Sequence, residues 1–460
     1  MSASIVIVAD DLTGAADCGV ACSAAGLSTV VALNDAARAK DLDAEAIAFD
    51  ADTRYQSLEQ ARAATALAVR ELCAAGDVQV LYKKIDSTLR GNFAIEIAAT
   101  RDSSSGLILS HRTGSAIAPT PPLAIVAPAF PATGRTTRNG RMFIQGVALE
   151  DTEVWQNEKI GGVADIPVLL EKAGMRAASI GLATIRSGIG AIAAALAKHS
   201  TKKVEAAVCD AETEEDLRAI ANAATQVDQP AFFAGSAGLA RYLPHAFGLA
   251  KHPKPFSGRD SISPPSNQLH PLAVNSDSPI AGCSNPNRAQ LLFVVGSMSQ
   301  ISRKQVRRLA NESSVRIFAI SPAALRTGKD SGLWRDTRYS IEEAIDLGYD
   351  IGVTLGLGHG IDLSESTYLS SSLAQLLLPL LDRFAGLFCT GGETARALLD
   401  TAGAAGIRLV GEIEPGIPLG TAEGGRNLAI VTKAGAFGTP ETLVHCRAAL
   451  RRFLTQRTQT

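Results

Sequence analysis

Short runs of β-branched residues alternate with alanine-rich helical stretches along most of this 460-residue chain. The alternation predicts strands at residues 5–8, 28–33 and 46–50, and helices at 13–25 and 57–75 that each stop before a glycine. Parallel strands need long crossover connections, and helices commonly supply them. We therefore predict an α/β fold built on mostly parallel sheet with helices on its faces.

A stretch rich in proline, serine and asparagine interrupts this alternation in the middle of the chain. Such a segment buries too little apolar surface to offset its ordering entropy and is typical of a linker. The strand and helix pattern then resumes with a predicted strand at residues 291–295. We predict two domains, each a mostly parallel sheet flanked by helices, at residues 1–250 and 289–460, joined by a linker at 251–288. Residues 101–122, also irregular, are predicted to form an exposed loop.

The charge balance argues against nucleic acid and membranes as partners, and the cysteines favour a reducing compartment. The formal net charge is −2, which gives no electrostatic reason to expect nucleic acid or an anionic membrane as a partner. No apolar run reaches the ~20 residues of a membrane span, and the N-terminus lacks the basic region of a signal peptide. The seven cysteines are scattered without a Cys-x-x-Cys pair, so we predict a cytoplasmic protein. The sequence leaves a homodimer open.

A cationic segment at residues 82–91 follows a predicted strand, and it contains Lys83, Lys84, Asp86, Ser87, Thr88 and Arg90. Arginine can bind a carboxylate or phosphate in bidentate fashion, and lysine acts as a point charge. A second acidic strand end, Asp10 and Asp11, lies upstream. A basic run alone would be interpreted as a solvated surface cluster, but the Asp-Ser-Thr inside this one favours an anion-binding site.

Glycine turns at strand ends in the second half are typical of phosphate binding. Residues 387–397 have the pattern of a strand, a double glycine and a helix, with Thr394 as the predicted helix cap. Glycine lets the backbone approach a ligand closely, and the N–H groups of a first helical turn attract negative charge. Turns at 295–299 and 433–438 are expected to reach the same crevice. The predicted nucleotide-binding residues are Ser297, Gly391, Gly392, Glu393, Thr394, Gly435 and Gly438.

Two widespread nucleotide-binding motifs are missing from the sequence. It contains no Gly-x4-Gly-Lys-Ser/Thr, and no Gly-x-Gly-x-x-Gly that follows a strand with an acidic partner downstream. A P-loop enzyme and a Rossmann dehydrogenase are therefore disfavoured. A single glycine turn is ordinary in α/β proteins, so only the three turns together favour a nucleotide site.

Six motifs resemble those of one family in content and order. They are Asp-Asp-Leu-Thr-Gly-Ala at 10–15, Lys-Lys-Ile-Asp-Ser-Thr-Leu-Arg-Gly-Asn at 83–92, Ala-Pro-Ala-Phe-Pro at 127–131 with Gly-Arg-Thr-Thr at 134–137, Gly-Ser-Ala-Gly-Leu at 235–239, Gly-Gly-Glu-Thr at 391–394 and Gly-Glu-Ile-Glu-Pro-Gly-Ile-Pro at 411–418. Together they resemble the four-carbon acid sugar kinase family. The resemblance implies an N-terminal acid-sugar-binding domain and a C-terminal nucleotide-binding domain. The second motif is more similar to that of D-threonate and D-erythronate kinases than to that of 3-oxo-tetronate kinases.

The chemistry that this resemblance implies is transfer of the γ-phosphoryl group of ATP to a hydroxyl of a small sugar acid, with Mg²⁺ as cofactor. Such transfer depends chiefly on positioning and on neutralising spread negative charge. Asp86 is our first choice for the general base and Asp11 the second. Asp10 and Asp11 are expected to bind substrate hydroxyls or help hold Mg²⁺. The full set of predicted substrate-binding residues is Asp10, Asp11, Arg54, Lys84, Asp86, Ser87 and Arg90, of which Arg54, Lys84 and Arg90 form the expected carboxylate clamp.

Several alternatives stay open at this point. The acceptor could be a 3-oxo-tetronate, or the protein could bind a sugar acid without catalysis. A regulatory receiver-like module also pairs aspartates after its first strand, but it lacks a second half with phosphate-type loops. Arg135 and Arg138 are solvated loop charges at even odds with a phosphate contact across the cleft between the domains.

Overall fold

The structure is a computed structural model that describes residues 3–74, 77–108, 121–158, 161–251, 290–297, 299–356, 365–435 and 437–457. The predicted linker at 251–288 lies outside the described residues except for Lys251. Of the predicted loop at 101–122, residues 109–120 also lie outside them, whereas residues 101–103 end a helix.

The first half of the chain alternates strands with helices. Its strands are β1 (Ile5–Ala9), β2 (Thr29–Ala32), β3 (Ala46–Asp50), β4 (Val80–Lys84), β5 (Leu123–Ala127), β6 (Arg135–Arg138), β7 (Arg141–Ile144), β8 (Val147–Ala148), β9 (Ala177–Ile180), β10 (Ala206–Cys209) and β11 (Ala231–Gly235). Its helices are α1 (Leu12–Ala24), α2 (Ala36–Ala39), α3 (Leu58–Leu72), α4 (Phe93–Ser103), α5 (Glu153–Asn157), α6 (Ile166–Lys172), α7 (Leu182–Arg186), α8 (Ile189–Thr201), α9 (Glu214–Ala224), α10 (Ala237–Ala240) and α11 (Leu243–Ala246).

The second half repeats the same alternation. Its strands are β12 (Gln290–Val295), β13 (Val315–Ile320), β14 (Asp350–Leu355), β15 (Phe384–Thr390), β16 (Gly406–Glu414), β17 (Ile417–Glu423) and β18 (Ala429–Lys433). Its helices are α12 (Gln300–Leu309), α13 (Pro322–Thr327), α14 (Gly332–Asp346), α15 (Ser366–Leu377), α16 (Gly392–Thr401) and α17 (Thr442–Arg457). Short 3₁₀ turns occur at Pro131–Thr133, Leu149–Asp151 and Leu378–Arg383.

One 15-stranded sheet runs through both halves, in the order β13-β14-β12-β15-β18-β17-β16-β2-β3-β1-β4-β11-β5-β10-β9. Its strands are parallel except where β16 and β17 pair with each other and with their outer neighbours β2 and β18. The prediction of an α/β fold with mostly parallel strands is confirmed. The continuity of the sheet across the halves was not predicted.

The contact between β2 and β16 is short and antiparallel. Gly406 lies opposite Ala32, Ile407 opposite Val31, and Arg408 opposite Val30. A Cβ on Gly406 would collide with the carbonyl oxygen of Val31, so glycine permits the strands to approach here.

Helix α1 packs on both halves because its buried face consists of small residues. Asp11 caps the helix by accepting a hydrogen bond from the Gly14 N–H, and Ala15 and Ala16 are fully buried against the sheet. A Cβ on Gly19 would lie 2.9 Å from Cδ1 of Leu409 on β16. The first turn of α1 is therefore held at the junction of the halves, next to the carboxyl ends of β1 and β4.

A separate three-stranded sheet, β6-β7-β8, projects from the first half. The two-residue turn between β6 and β7 is Asn139-Gly140, with φ of 52° and 74°. Positive φ at both turn residues suits Asn-Gly and matches the twist of a hairpin. The loop that leads into this sheet contributes Phe130 to the cleft described below, and β6 contributes Arg135.

Candidate active site

A cleft of ≈ 860 Å³ lies where the carboxyl ends of the strands of both halves meet. Ligands of open parallel sheets bind at this edge. From the first half, the lining includes Asp11, Thr13, Gly14, Asp17, Asp50, Asp52, Arg54, Tyr55, Lys84, Asp86, Ser87, Arg90 and Arg135. From the second half, it includes Gly296, Ser297, Ser299, Gly391, Gly392, Glu393, Thr394, Arg396, Gly416, Gly435 and Phe437. Most of the predicted acid-binding and nucleotide-binding residues thus share one cavity.

Lys83 does not reach this cleft. Side chains alternate along a strand, so Lys83 and Lys84 point to opposite faces of the sheet. Nζ of Lys83 lies 3.1 Å from Oε2 of Glu96 on α4, and both side chains are fully buried. Nζ also donates to the carbonyl oxygen of Val8 at 3.3 Å. The expected part of Lys83 in binding an anion is therefore wrong, because its ammonium already forms a buried ion pair.

Lys84 lies on the cleft side of β4 and is 5% exposed. A Cβ on Gly14 would lie 2.6 Å from Nζ of Lys84, so the glycine leaves room for the ammonium over the first turn of α1. Burial alone would lower the pKa of Lys84, but the charges of Asp10 and Asp11 outweigh it and raise this pKa. Nζ makes no hydrogen bond or ion pair with any residue that the structure describes. Lys84 therefore presents to the cleft an ammonium that has acidic neighbours but no direct partner among the described residues.

The carboxylate of Asp86 is saturated with hydrogen bonds. Arg90 donates to it from both Nε, at 2.9 Å to Oδ2, and Nη2, at 2.7 Å to Oδ1. The hydroxyl and the N–H of Thr88 also donate to Oδ2. Burial would raise the pKa of Asp86, but Arg90 and Arg54 hold it well below its ordinary value. This bonding makes Asp86 a poor proton acceptor and suits it to orienting the two arginines.

Arg54 contacts three carboxylates rather than presenting a free guanidinium. Its Nε donates to Oδ2 of Asp10 at 2.8 Å, and its Nη1 donates to Oδ2 of Asp11 at 2.8 Å. Its Nη2 lies 3.5 Å from Oδ1 of Asp86. The geometry gives Arg54 the role of holding the acidic strand ends together, which differs from its expected role as a clamp on a substrate carboxylate.

The two acidic residues after β1 have different positions. Asp10 is 2% exposed, does not line the cleft, and has one carboxylate oxygen, Oδ1, that accepts no hydrogen bond from the described residues. Asp11 lines the cleft and also accepts from the Thr13 hydroxyl at 2.5 Å. Burial would raise the pKa of Asp11, but Arg54 and Lys84 lower it. Asp11 therefore carries a negative charge into the cleft.

Helix α16 offers its N-terminus to the cleft without a side-chain cap. Its N-cap residue, Gly391, has φ of 99°, and no side chain of the described residues accepts a hydrogen bond from the first turn. The prediction that Thr394 caps this helix is wrong, because its hydroxyl lies 3.2 Å from that of Ser370 instead. Unpaired N–H groups at a helix N-terminus form a ready site for phosphate.

The three glycine turns of the second half meet beside this helix end. A Cβ on Gly296 would collide with the Thr394 side chain, and one on Gly435 would collide with Ser297. The carbonyl oxygen of Gly435 accepts hydrogen bonds from the hydroxyls of Ser299, at 2.7 Å, and Ser302, at 2.8 Å. The backbone around the second-half side of the cleft is therefore closely packed and firmly held.

Gly438 does not belong to this group. It does not line the cleft, and a Cβ on it would collide with Thr442 at the start of α17. With φ of 85°, Gly438 serves the turn into that helix. Its predicted role in nucleotide binding is therefore not supported.

Lys433 positions the third glycine turn from behind. Its Nζ donates to the carbonyl oxygens of Ala434 at 2.9 Å, Gly435 at 3.2 Å and Phe437 at 3.0 Å. The side chain is 1% exposed, and burial lowers its pKa to about 8. The sequence did not single out this side chain, although Lys433 opens the predicted turn at 433–438.

A further link between the halves runs through Arg396 on α16. Its Nη1 donates to Oδ2 of Asp50 at 2.5 Å, and its Nη2 donates to Asn34 at 2.8 Å. Burial, opposed by Arg396, raises the pKa of Asp50 to about 7. Neither Arg396 nor Asp50 was predicted. The sequence marks them only by position, since Arg396 lies one helical turn after the double glycine and Asp50 ends β3.

Two arginines that the sequence left undecided differ in the structure. Arg135 lines the cleft, donates from Nη1 to the carbonyl oxygen of Thr133 at 2.6 Å, and has a buried Nε without a partner among the described residues. Arg138 does not line the cleft and pairs with Glu212 at the surface. Only Arg135 is placed to contact a ligand.

The described residues contain no group of three or more His, Cys, Asp or Glu side chains able to hold a metal ion. Magnesium in phosphoryl-transfer sites needs fewer protein ligands, because one or two carboxylates and the substrate phosphates suffice. Asp11 fits that requirement, since its charged carboxylate faces the N-terminus of α16.

Sequence models of two domains match the chain. A sugar-binding N-terminal domain matches residues 5–243, and a nucleotide-binding C-terminal domain matches residues 292–443. The chain is 39% identical to a D-threonate kinase of Cupriavidus necator, over 97% of this chain and 98% of that protein. The chain belongs to the four-carbon acid sugar kinase family.

Other members of the four-carbon acid sugar kinase family are similar over their whole length. A D-threonate kinase of Bordetella bronchiseptica is 30% identical, with 97% of each chain covered. A D-erythronate kinase of Heliobacterium modesticaldum is 27% identical, with 96% of each chain covered. A 3-oxo-tetronate kinase of Methylobacterium radiotolerans is also 27% identical, over 95% of this chain and 97% of that protein.

Solved structures agree with the fold of this family member. A Salmonella typhimurium protein described as a putative tRNA synthase has a TM-score of 0.74, at 20% identity, over 97% of this chain and 99% of its own. A Haemophilus influenzae protein has a TM-score of 0.68 at 20% identity, over 96% and 99%. At this identity, the likeness concerns the fold alone. Among the described helices, none combines the length and apolar character needed to cross a bilayer.

Proposed function

We propose that this protein transfers the γ-phosphoryl group of ATP to a hydroxyl of a four-carbon sugar acid, with D-threonate as the first candidate and D-erythronate as the second. The observation that carries the proposal is that two features share one cleft: the ammonium of Lys84, which has no direct partner among the described residues, and the uncapped N-terminus of α16. A cation suits the carboxylate of the acid, and the helix N-terminus suits the phosphates of the nucleotide. The 39% identity to a D-threonate kinase supports the choice of acid.

On the acid side, Lys84 is the proposed contact of the substrate carboxylate. Arg90 is one-third exposed while it holds Asp86, so its outer edge can add a second contact. The Ser87 hydroxyl lines the cleft beside them and is the proposed partner of a substrate hydroxyl. In this proposal Asp86 orients Arg90 and Arg54 through its hydrogen bonds and does not take the proton.

On the nucleotide side, the backbone of Gly391, Gly392 and Glu393 is the proposed cradle of the phosphates, together with Ser297 and Gly435. The magnesium ion of MgATP would supply neutralising charge to the phosphates, and Asp11 is the residue that would hold it. Arg135, on the opposite wall, is proposed to contact the transferred group, since its partly buried guanidinium has a free Nε. Charge neutralisation and positioning are the main demands of phosphoryl transfer.

The experiment that tests this function is a screen of the purified protein with MgATP against sugar acids of three to six carbons. ADP release is expected with D-threonate or D-erythronate and not without an acid. Turnover with 3-oxo-tetronates alone would favour the second candidate function, which has its support in the 27%-identical 3-oxo-tetronate kinase of Methylobacterium radiotolerans. No acid-dependent ADP release with any acid would refute the kinase proposal and favour a non-catalytic binding protein.

A cytoplasmic location belongs to the same proposal. Six cysteines in the described residues are buried and unpaired, as is usual in a reducing compartment. A homodimer stays a prediction, and sedimentation of the purified protein would test it.

A further inference from the structure

Asp17 is a cleft-lining carboxylate that the functions assigned so far do not use. It lies on α1, four residues after Thr13, so both side chains lie on the same helical face. Its Oδ1 is sealed from solvent and accepts no hydrogen bond from any residue that the structure describes. A Cβ on Gly416, from the turn between β16 and β17, would lie 3.7 Å from this oxygen. Asp17 is therefore at the junction of the two halves, with its hydrogen-bonding capacity unused.

The carboxylates that follow β1 and β4 in the cleft are engaged. Asp11 accepts from Thr13, Gly14 and Arg54. Asp86 is saturated by Thr88 and Arg90.

Of the outer carboxylates, Asp50 and Glu393 are engaged, Asp52 lies near solvent, and the half-buried Glu158 lines the cleft without a side-chain hydrogen bond from the described residues. Asp50 accepts from the Asp52 N–H at 2.9 Å and from Arg396. Glu393 accepts from the hydroxyl of Ser366 at 2.5 Å. Asp52 is 55% exposed and pairs with Arg396. A group that must take a proton from a substrate hydroxyl needs a free lone pair on an oxygen that the substrate can reach. Oδ1 of Asp17 is sealed from solvent, so that oxygen is Oδ2, which also accepts no hydrogen bond from the described residues. Of the two unengaged carboxylates in the lining, Asp17 is the one beside Lys84.

The surroundings of Asp17 give its carboxylate the basicity that a general base requires. Burial raises its pKa to about 6, and Lys84 and Arg241 oppose this rise. A carboxyl group with a pKa near the working pH accepts a proton more readily than one held ionised by arginines. The titratable and charged groups that face it from the neighbouring elements are Lys84 and Tyr82 on β4, Arg241 after α10, Glu412 on β16, and Asp11 and Cys18 on its own helix.

We propose that Asp17 is the general base of the phosphoryl transfer, an inference that rests on the proposed function. The carboxylate of Asp17 takes the proton of the substrate hydroxyl as the hydroxyl oxygen forms its bond to the γ-phosphorus. The bond between that phosphorus and the bridging oxygen breaks, and its electron pair leaves with ADP. The proton on Asp17 then passes to solvent. Lys84, beside Asp17, holds the acid so that this hydroxyl reaches the carboxylate.

The first test replaces the carboxylate by its amide, Asp17→Asn, which keeps the shape of the side chain. The turnover number is expected to fall by a factor on the order of 10²–10⁴, as for loss of a general base. The dissociation constants of D-threonate and of a nonhydrolysable ATP analogue, measured by calorimetry, are expected to change less than about threefold, because phosphate and carboxylate contacts remain. Asp17→Ala provides a second variant with the same expected loss of turnover.

The pH profile separates a proton acceptor from a structural residue. The wild-type value of kcat/KM is expected to rise with pH through about 6, where the buried carboxyl group ionises. This rise is expected to vanish in Asp17→Asn. In the control variant Asp50→Asn, the rise should persist, although Asp50 also has a raised pKa.

Stability gives a readout that is independent of catalysis. A raised folded-state pKa means that the stability from protonated Asp17 is complete below its ordinary value of 3.8 and is lost as the pH passes through about 6. Asp17→Asn is therefore expected to raise the melting temperature at pH 8 and to change it little at pH 4.

The outcomes distinguish this inference from the function on which it rests. A wild type that releases no ADP with any acid refutes both. Two results with an active wild type overturn the role of Asp17 alone. One is that Asp17→Asn keeps more than a third of the wild-type turnover number, and the other is that its kcat/KM still rises with pH through about 6. Loss of turnover together with loss of threonate binding would also overturn it and make Asp17 a binding residue.

Discussion

Gly392 and Asp11 face each other across the cleft, and a methyl group on the α-carbon of Gly392 would lie 3.4 Å from Oδ2 of Asp11. The first residue of a helix in the second half thus meets the capping residue of a helix in the first half. The predicted phosphate cradle at Gly391–Glu393 and the predicted acid site at Asp11 are therefore in near contact. A phosphoryl group bound at the helix N-terminus would therefore already lie beside the acceptor.

Gly392→Val is expected to weaken nucleotide binding much more than threonate binding, because Lys84 and Arg90, the proposed contacts of the acid, are not among the atoms nearest a side chain at Gly392. The branched side chain would occupy the space where phosphate approaches the N-terminus of α16, and the loss of an anion contact there costs up to about 2 kcal/mol, or roughly 30-fold in affinity. Calorimetric titration with a nonhydrolysable ATP analogue and with threonate would measure both. Gly332→Val is the matched control, because Gly332 is also the first residue of a helix and a Cβ there meets no atom within 4 Å. Equal nucleotide affinity in a folded Gly392→Val would mean that the double glycine is only a turn.

Lys84→Met and Lys83→Met are expected to change different properties, although the residues are adjacent: the first the KM for the acid, the second the stability of the fold. Loss of the free Lys84 ammonium removes a charged hydrogen bond to the substrate carboxylate, which corresponds to a rise in the acid KM on the order of 10- to 100-fold. Loss of Lys83 leaves Glu96 buried without its partner and is expected to lower the free energy of unfolding by about 3–5 kcal/mol. Steady-state kinetics and urea unfolding of both variants would check this. A destabilised Lys84→Met with normal KM would contradict the assignment.

Asp86→Asn is expected to destabilise the protein more than it impairs the chemical step. Arg54 and Arg90 would lose the charge that they share, and removal of one partner from a buried pair costs about 3–5 kcal/mol. The folded-state pKa of Asp86 lies well below its ordinary value of 3.8, so its stabilising effect is present above that pH and is lost as the pH falls further. The difference in melting temperature between wild type and variant should therefore be large at pH 7 and narrow below about pH 4. A fully stable variant with a turnover number reduced 10²-fold or more would instead return the role of general base to Asp86.

Lys433→Met is expected to weaken nucleotide binding without any contact to the nucleotide. The ammonium holds three backbone carbonyls of the turn that contains Gly435. Without it, that turn loses hydrogen bonds worth about 1–3 kcal/mol each to a charged donor, and its backbone would no longer be fixed for phosphate. The measurement is ATP-analogue affinity, with threonate affinity as the internal control. If both affinities are unchanged, the turn is positioned by Ser299 and Ser302 alone.

The sequence predicted the parts of the fold that depend on local pattern. The predicted strands at 46–50 and 291–295 match β3 and, to within one residue, β12, because buried parallel strands are continuous apolar runs. The hairpin of β6 and β7 was missed although its Asn139-Gly140 turn is a strong local signal. The pairing of β2 with β16 could not have been predicted, since it joins segments that are distant in sequence and have no local sign of their partner.

For the candidate site, residue types were predicted better than their partners. Alternation along β4 already implies that Lys83 and Lys84 face opposite ways, so that error was avoidable. The hydrogen bonds from Thr88 and Arg90 to the Asp86 carboxylate depend on the conformation of the turn after β4. The spacing of these residues in the sequence does not define that conformation. Asp17 was missed because its pKa is raised by burial, and the turn at Gly416 that lies against its carboxylate is distant in the sequence.

The strand pairing at the junction has a consequence for dissecting the protein. If the chain were cut between β11 and β12, the first fragment would expose the edge of β2 and the second the edge of β16. Open strand edges of this kind readily pair with other chains. Each fragment produced alone is therefore expected to aggregate, whereas the two produced together should recombine into a working enzyme. The catalytic unit is then the assembled pair, in which β2 of one half and β16 of the other cover each other's open edge.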